Sequence, residues 1–273
     1  LKNGFSEAYI ERIQRQLEGF GEYGFPESHA ASFALLVYLT AWLKCHHPGV
    51  FLAALLNSQP MGFYSPAQLI NDARHHQVVV HPVDVNHSHW DHEALPDGSV
   101  RLGLRLVKGM NQDAALRLIN ARPDTGYKTI SDCTQASLLN RKEREALASS
   151  GAFGALSEHR YHARWQAAEP QNISYQPDLL APLAMPDEWT LDAPNEVDNL
   201  LEDYQSLGVT LGRHPMEVLR EQGLLGNSVT AEGLKQLKHG DESYISGIVT
   251  CRQRPGTSAG VTFITLEDET GCS

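Results

Sequence analysis

The longest apolar stretch of the chain, residues 30–43, limits what the sequence can fold into. It is shorter than the roughly 20 residues that a helix needs to span a bilayer. Lys44, His46 and His47 follow it. The stretch therefore predicts a core helix and no membrane partner.

Length and cysteine usage indicate a globular protein from a reducing compartment. The chain has 273 residues, 41% of them hydrophobic, enough for a sizeable core in about one to three domains. Its four cysteines form no C-x-x-C pair. Since no secretory leader is visible, we expect a cytoplasmic protein. The first residue is Leu1 and the last residues stop where a strand meets a turn, so we expect a segment cut at both ends.

Charge is unevenly distributed along the chain. The formal net charge of -11 argues against attraction of nucleic acid by the whole surface, because phosphate binding depends on clustered Lys and Arg. However, residues 101–122 contain five basic residues and one acid, whereas residues 184–203 contain seven acids and no Lys or Arg. A basic face can therefore coexist with an acidic connector.

Apolar periodicity and turn residues divide the chain into five segments. The first is mainly helical, the second holds two helical hairpins and the third is an acidic, Pro-rich linker. The fourth is a helical connector, and the fifth is the start of a β-barrel. Their ranges are residues 1–95, 96–156, 157–195, 196–240 and 241–273.

Three serines mark helix starts in the first segment. Ser6 and Ser28 are expected to cap the first two helices, and Ser65 precedes another helix that begins with a proline. Gly19 and Gly21 are expected to end the first helix.

Residues 106–111, with the sequence Leu-Val-Lys-Gly-Met-Asn, carry the most informative motif. A G-h-G turn of a helix-hairpin-helix element exposes backbone N–H groups that can hold a phosphate oxygen without reading base sequence. Asn111 occupies the second glycine position and is expected to keep the turn, because Asn tolerates a left-handed conformation. An ordinary turn with a solvated basic face is the alternative. The predicted DNA contacts are Arg101, Arg105, Lys108, Gly109, Met110, Asn111 and Arg117.

The second hairpin contains Asn140, Arg141 and Lys142, and residues 150–153, Ser-Gly-Ala-Phe, follow. Its motif is weaker, and a purely structural role is the alternative.

Two further patterns are interpreted as loops. His87, His89 and His92 lie close together but lack the spacing of a zinc site, so we expect a solvated loop and no metal. Residues 256–260 match G-x-S-x-G, but they lie between strands expected at 244–249 and 261–266, which favours a hairpin loop over a hydrolase elbow. No phosphate-binding G-x-x-x-x-G-K-[ST] loop or two-metal carboxylate pair is evident.

Residues 24–34, Gly-Phe-Pro-Glu-Ser-His-Ala-Ala-Ser-Phe-Ala, resemble the fingers region of bacterial DNA polymerase III alpha subunits, the C-family DNA polymerases. Nearly the whole chain follows that family in order. Residues 108–109 fall on its helix-hairpin-helix and residues 262–271 on the start of its OB domain. Residues 25–29 and 57–66 are similar to its error-prone, translesion branch.

The resemblance implies a mainly α fold. It would comprise the C-terminal part of the fingers, a tandem helix-hairpin-helix and the first strands of an OB-type β-barrel. It also implies template-directed nucleotidyl transfer in DNA damage tolerance, with Mg²⁺ held by palm aspartates that precede this chain. This segment would then hold no catalytic residue, metal or cofactor of its own and would be inactive alone. Its partners would be a primer-template duplex and a deoxynucleoside triphosphate.

The same resemblance suggests two further sites. Ser28, His29 and Lys44 are candidates for contact near the nascent base pair, with helix capping as the alternative. Gln176, Leu179 and Leu180 occupy roughly the place of a sliding-clamp peptide, with a plain linker as the alternative. The alternative function for the whole chain is a non-catalytic DNA-binding or scaffold module that recruits repair or replication partners.

Overall fold

The computed structural model describes residues 6–23, 27–62, 64–168, 191–255 and 260–273. Residues 176–180, and most of the loop at 256–260, lie outside the described residues.

Four helices make up most of the first 75 residues. They are α1 (Glu7–Tyr23), α2 (Glu27–His46), α3 (Pro48–Asn57) and α4 (Pro66–His75). Ser6 precedes α1, and its hydroxyl accepts a first-turn backbone N–H at 3.3 Å. Both α3 and α4 begin with a proline, whose fixed φ and missing N–H suit the first helical position. Ser65 and Gln68 form a capping box at the start of α4, as expected of that serine.

Two boundaries in this region differ from the sequence prediction. α1 continues through Gly19 and Gly21. A glycine lowers helix stability by about 1 kcal/mol but leaves the helical conformation accessible. α2 begins at Glu27, so Ser28 lies inside its first turn and is not the N-cap residue.

A small three-stranded sheet follows. β1 (Val80–His81) pairs in parallel with β3 (Val100–Arg101), which pairs antiparallel with β2 (Glu93–Ala94). The turn before β3 contains Gly98 at φ +85°, a left-handed conformation that glycine adopts without strain. α3 crosses this turn so closely that a Cβ on Gly49 would clash with the Gly98 carbonyl oxygen. α3 and the sheet therefore share one core.

Two helical hairpins and one further helix form the centre of the chain. The first hairpin consists of a 3₁₀ turn (Leu104–Leu106) and α5 (Gln112–Asn120). The second consists of α6 (Ile130–Ala136) and α7 (Arg141–Ser149), and α8 (Arg160–Ala168) packs against both. Fully buried side chains from this region include Leu104, Leu118, Leu147 and Phe153.

α8 lies within the range that the sequence predicted as a linker. Its buried positions are Ala163 and Ala167, each 3% exposed. Because these side chains are small and the large Trp165 is 60% exposed, the buried face of the helix lacks the periodic large apolar residues by which helices are found in a sequence. Arg160 extends from α8 to Asp203 in the next described helix, with a nitrogen–oxygen distance of 2.8 Å. The helical region thus extends at least to Ala168.

Three helices and an open sheet complete the described chain. The sheet is antiparallel, in the order β4 (Ile248–Gln253), β5 (Phe263–Asp268) and β6 (Gly271–Cys272). β4 starts later than the predicted strand at 244–249 and runs further, and its pairing with β5 is that of the expected hairpin. Within the described residues the sheet does not close, so the mainly helical prediction is confirmed and the barrel stays a prediction. The helices are α9 (Glu196–Ser206), α10 (Pro215–Glu221) and α11 (Ala231–Leu234).

Candidate nucleic-acid interface

The turn of the first hairpin is formed by Lys108, Gly109, Met110 and Asn111. Gly109 supplies the left-handed residue, at φ +92°, and the Met110 side chain is buried in the core. Asn111 has an extended backbone, at φ -110°, and its Oδ1 accepts the N–H of Ala114 at 2.8 Å. The left-handed Asn111 expected from the sequence is therefore wrong. This residue caps α5 instead, which is the commonest use of Asn beside a helix.

The turn of the second hairpin repeats the first. Leu138 supplies the left-handed residue, at φ +50°, and Leu139 is buried as Met110 is. Asn140 caps α7, in a capping box with Glu143. The two hairpins therefore have the same sequence of conformational roles. In the sequence, the signal for this repeat is an asparagine three residues before a glutamate, which is typical of a capping box. A leucine does not indicate a left-handed turn.

Arg117 of α5 connects the two hairpins. Its Nε donates to Ser137 O at 3.2 Å, and its Nη2 donates to Glu143 Oε2 at 3.1 Å. The same oxygen of Glu143 accepts the backbone N–H of Asn140 at 2.9 Å. Arg117 thus holds the second turn against α5, and its charge is matched by a buried carboxylate.

The other basic residues predicted as DNA contacts also have partners within the chain. Arg101 donates to Pro82 O at 3.1 Å. Arg105 donates to Asn57 O at 3.0 Å and forms an ion pair of 2.7 Å with Asp91. A phosphate contact would have to compete with these bonds.

Lys108 is held by the C-terminal end of α9. Its Nζ donates to Tyr204 O at 2.9 Å, and its backbone N–H donates to Ser206 O at 2.8 Å. The last carbonyl groups of a helix carry partial negative charge and favour a cation. The first turn is therefore joined to the connector, a contact that no local sequence signal indicates.

The second turn has exposed cations instead. Arg141 and Lys142 occupy the first turn of α7 and are exposed. Within the described part of the chain, neither side chain is engaged in a hydrogen bond or ion pair. Cations at a helix N-terminus oppose the helix dipole, so this arrangement is not explained by helix stability. The first turn of α5 carries an acid, Asp113, and no cation, whereas the acid in the first turn of α7, Glu143, is already paired with Arg117. The charge of the second turn thus suits a phosphate better.

Comparison with known proteins shows which proteins the chain is similar to. The helix-hairpin-helix motif family matches residues 77–163, which include the small sheet and both hairpins. Over 99% of its length, the chain is 51% identical to the error-prone DNA polymerase of Alkalilimnicola ehrlichii. It is 46% identical to that of Hahella chejuensis and 49% to that of Vibrio parahaemolyticus, again over 99% of its length. Along nearly its whole length the chain is similar to error-prone DNA polymerases. It spans 26% of the length of each of these error-prone DNA polymerases.

The residues expected near a nascent base pair in an error-prone DNA polymerase do not come together. His29 is exposed, and its ring packs on Phe33 with centroids 4.4 Å apart. Lys44 lies fifteen residues further along the same helix, at a distance of about 22 Å along the axis. Its ammonium forms an ion pair of 2.7 Å with Asp72. The side chain of Ser28 lies outside the described residues, as do Gln176, Leu179 and Leu180.

The histidine cluster is partly structural. His87 and His89 are exposed, as expected, but His92 is 5% exposed. Its Nδ1 accepts the N–H of Gly103 at 3.2 Å, and its backbone exchanges two hydrogen bonds with the Asn57 side chain. Burial lowers the pKa of His92 to about 4, and the nearby Arg105 guanidinium lowers it in the same direction. His92 is therefore a neutral core residue, and the solvated-loop interpretation is wrong for it.

Within the described residues, no group of three or more His, Cys, Asp or Glu side chains is placed to hold a metal ion. No described helix combines the length and the apolar character needed to cross a membrane.

Proposed function

We propose that this chain is one part of an error-prone DNA polymerase that performs template-directed nucleotidyl transfer in DNA damage tolerance. The observation that carries the proposal is the 51% identity, over 99% of the chain, to a protein of that name. In this proposal the segment binds and positions DNA. Catalysis with Mg²⁺ belongs to the remaining part of the polypeptide, where carboxylates would hold metal ions against the attacking and leaving oxygens.

We further propose that the tandem hairpins bind the phosphate backbone of a primer-template duplex, chiefly at the second turn. The N-terminus of α7 offers backbone N–H groups and a favourable dipole to a phosphate oxygen. Arg141 and Lys142 add two exposed cations at that position. Such contacts fix the position of the protein on DNA without reading sequence, as a polymerase requires.

The DNA-binding proposal is tested with the full-length protein that contains this chain. The double variant Arg141→Ala/Lys142→Ala should weaken binding to duplexes of different sequence by similar factors. Each lost phosphate contact should lower the slope of log affinity against log salt concentration by about 0.9, so the expected decrease is about 1.8 units. The slope is measured by fluorescence anisotropy over a range of salt concentrations.

The matched control is Lys235→Ala/Lys238→Ala, which removes the same charge from exposed positions around the end of α11. The control should retain the wild-type slope. If both double variants change the slope equally, the effect comes from net charge, and the specific contact at the second turn is wrong.

The polymerase proposal requires an activity measurement. Full-length protein should extend a primer on both undamaged and lesion-containing templates when Mg²⁺ and deoxynucleoside triphosphates are supplied. DNA binding without extension under these conditions would favour a non-catalytic scaffold.

His29 and Lys44 are proposed to contact the incoming nucleotide or the template separately, since the helix holds them far apart. His29→Ala should raise the KM for nucleotide, and an unchanged KM and kcat would exclude the contact.

A sliding clamp is a further proposed partner, through the apolar pair Leu179 and Leu180 after Gln176. We also propose a cytoplasmic location.

A further inference from the structure

The middle of helix α2 is apolar on every side and exposed on every side. Leu35, Leu36, Val37 and Tyr38 are consecutive, so their side chains point in four directions that differ by about 100° per residue. Their exposed fractions are 62%, 54%, 62% and 69%. The described part of the chain therefore covers no face of α2 at this level.

The middle of α2 presents few polar groups that could bind water. Thr40 turns its hydroxyl back onto the helix, where it donates to Leu36 O at 2.8 Å. The first charged side chain after the start of the helix is Lys44, in the last turns. Exposed apolar surface costs about 25 cal/mol per Å², and contiguous patches of more than several hundred Å² usually mark an interaction site.

One end of α2 is already attached. Lys44 bridges to Asp72 of α4 at 2.7 Å, and the last turns pack against α3. The rest of the helix extends away from this attachment.

We infer that α2 is the central helix of a hydrophobic core whose other walls come from the part of the polymerase polypeptide outside this chain. The inference rests on the proposed function, in which the chain is a segment of a longer protein. Relatives align along 99% of this chain, yet the chain spans 26% of their length, so about three quarters of each relative is available to surround α2. A helix that is hydrophobic all round is buried within a large core.

A second copy of the chain explains the exposure less well. A two-fold interface places the same patch of each copy against its partner, and so covers one face of a helix. The four directions occupied by residues 35–38 require neighbours on all sides. α1 differs in this respect, because its exposed Ile10, Ile13 and Leu17 follow one helical stripe and need one neighbour only.

Cysteine accessibility in the full-length protein tests the inference. Leu35→Cys and Val37→Cys are made separately, and Glu145→Cys, at an exposed position of α7, is the control. Each is treated with a water-soluble maleimide without DNA, and peptide mass spectrometry assigns the label to its site, so the native cysteines can remain. Both α2 positions should react at least about a hundredfold more slowly than the control, because labelling would require local opening.

The same protection should persist when protein concentration is lowered roughly a hundredfold, since an intramolecular core is independent of mass action. Labelling at the control rate would overturn the inference. Protection that disappears on dilution would also overturn it, in favour of a second copy.

Hydroxyl-radical footprinting of the unsubstituted full-length protein avoids folding defects that a cysteine substitution could cause. Tyr38 should be protected, whereas Trp165, which is 60% exposed on α8, should react. Equal reactivity, corrected for residue type, would reject the buried helix. Primer extension by the same preparation distinguishes failure of the proposed polymerase activity from failure of the buried-helix inference. An inactive protein with a protected α2 would contradict the polymerase activity and would support the burial of α2.

Discussion

The ammonium of Lys108 lies against the C-terminal carbonyl groups of α9, where Tyr204 O accepts its hydrogen bond. A hydrogen bond from a charged group typically contributes about 1.5–3 kcal/mol, less when it is exposed to solvent, as Lys108 is. We expect Lys108→Met to keep the apolar stem, to lower the melting temperature by a few degrees and to leave the salt slope of DNA binding unchanged.

The control for this substitution is Lys128→Met. Lys128 bonds to Thr125 O, only three residues away, so its loss should not loosen α9. A salt slope that falls by about one unit in Lys108→Met would instead support the phosphate contact predicted from the sequence.

His92 makes the stability of the segment depend on pH. Its pKa is about 4 in the folded protein and 6.5 for an unperturbed histidine, so the unfolded state binds a proton first as pH falls. The stabilising preference for the neutral form is fully present above pH 6.5 and is lost as pH falls toward 4. At about pH 5 the loss amounts to about 2 kcal/mol.

His92→Gln should therefore reduce the fall in melting temperature between neutral pH and about pH 5, even if it lowers stability at neutral pH. Differential scanning fluorimetry at both pH values measures this difference. The matched control replaces the exposed His87 of the same loop by Gln. An unchanged pH dependence in His92→Gln would contradict the assignment of this acid sensitivity to His92.

Among the elements, the two hairpin turns allow backbone strain to be tested by opposite substitutions, one that removes strain and one that adds it. Leu138 adopts φ +50° and its side chain is 74% exposed, so its packing contributes little in this segment. A left-handed conformation costs a non-glycine residue roughly 1–2 kcal/mol. Leu138→Gly should therefore raise the melting temperature by a few degrees, since relief of this strain exceeds the added flexibility of the unfolded chain.

The reverse substitution, Gly109→Ala, should lower the melting temperature. A Cβ at this position would lie 3.5 Å from the Ala146 Cβ, an ordinary contact, so the cost would come from φ +92° alone. DNA anisotropy gives a second readout for Leu138→Gly. Weaker binding at an unchanged salt slope would mean that the leucine itself contacts DNA.

Local signals explain which elements the sequence predicted. A serine followed by a proline located α4, and the glycine turn located the first hairpin. The sequence does not indicate α8, because the buried residues of that helix are alanines. It does not indicate the left-handed turn of the second hairpin, because a leucine stands where the first hairpin has a glycine. The hydrogen-bond partners of the cations predicted to contact DNA could not be inferred from the sequence either. Lys108 and its partner Tyr204, for example, are 96 residues apart. Contacts of that kind arise from tertiary packing and leave no local pattern.

At the scale of the whole molecule, the N-terminal helices contact the C-terminal sheet directly. The Asn71 side chain on α4 donates to Glu267 Oε1 on β5 at 3.1 Å, across 196 residues of sequence. His214, the cap of α10, has its Nε2 3.9 Å from the same oxygen. One largely buried carboxylate, 15% exposed, thus joins three of the segments predicted from the sequence.

A double-mutant comparison tests whether this contact couples the regions. Asn71→Ala, Glu267→Ala and the double variant are compared with the wild-type full-length protein by thermal melting. Residues that share a hydrogen bond typically couple by about 0.5–3 kcal/mol, so the double variant should lose less stability than the two single variants together. The Lys44–Asp72 pair provides the comparison, because both its side chains are about half exposed and exposed ion pairs couple by about 0.2–1 kcal/mol. If the Asn71 and Glu267 effects are strictly additive, other contacts hold α4 against the sheet. The hydrogen bond between these two side chains then does not couple the two regions.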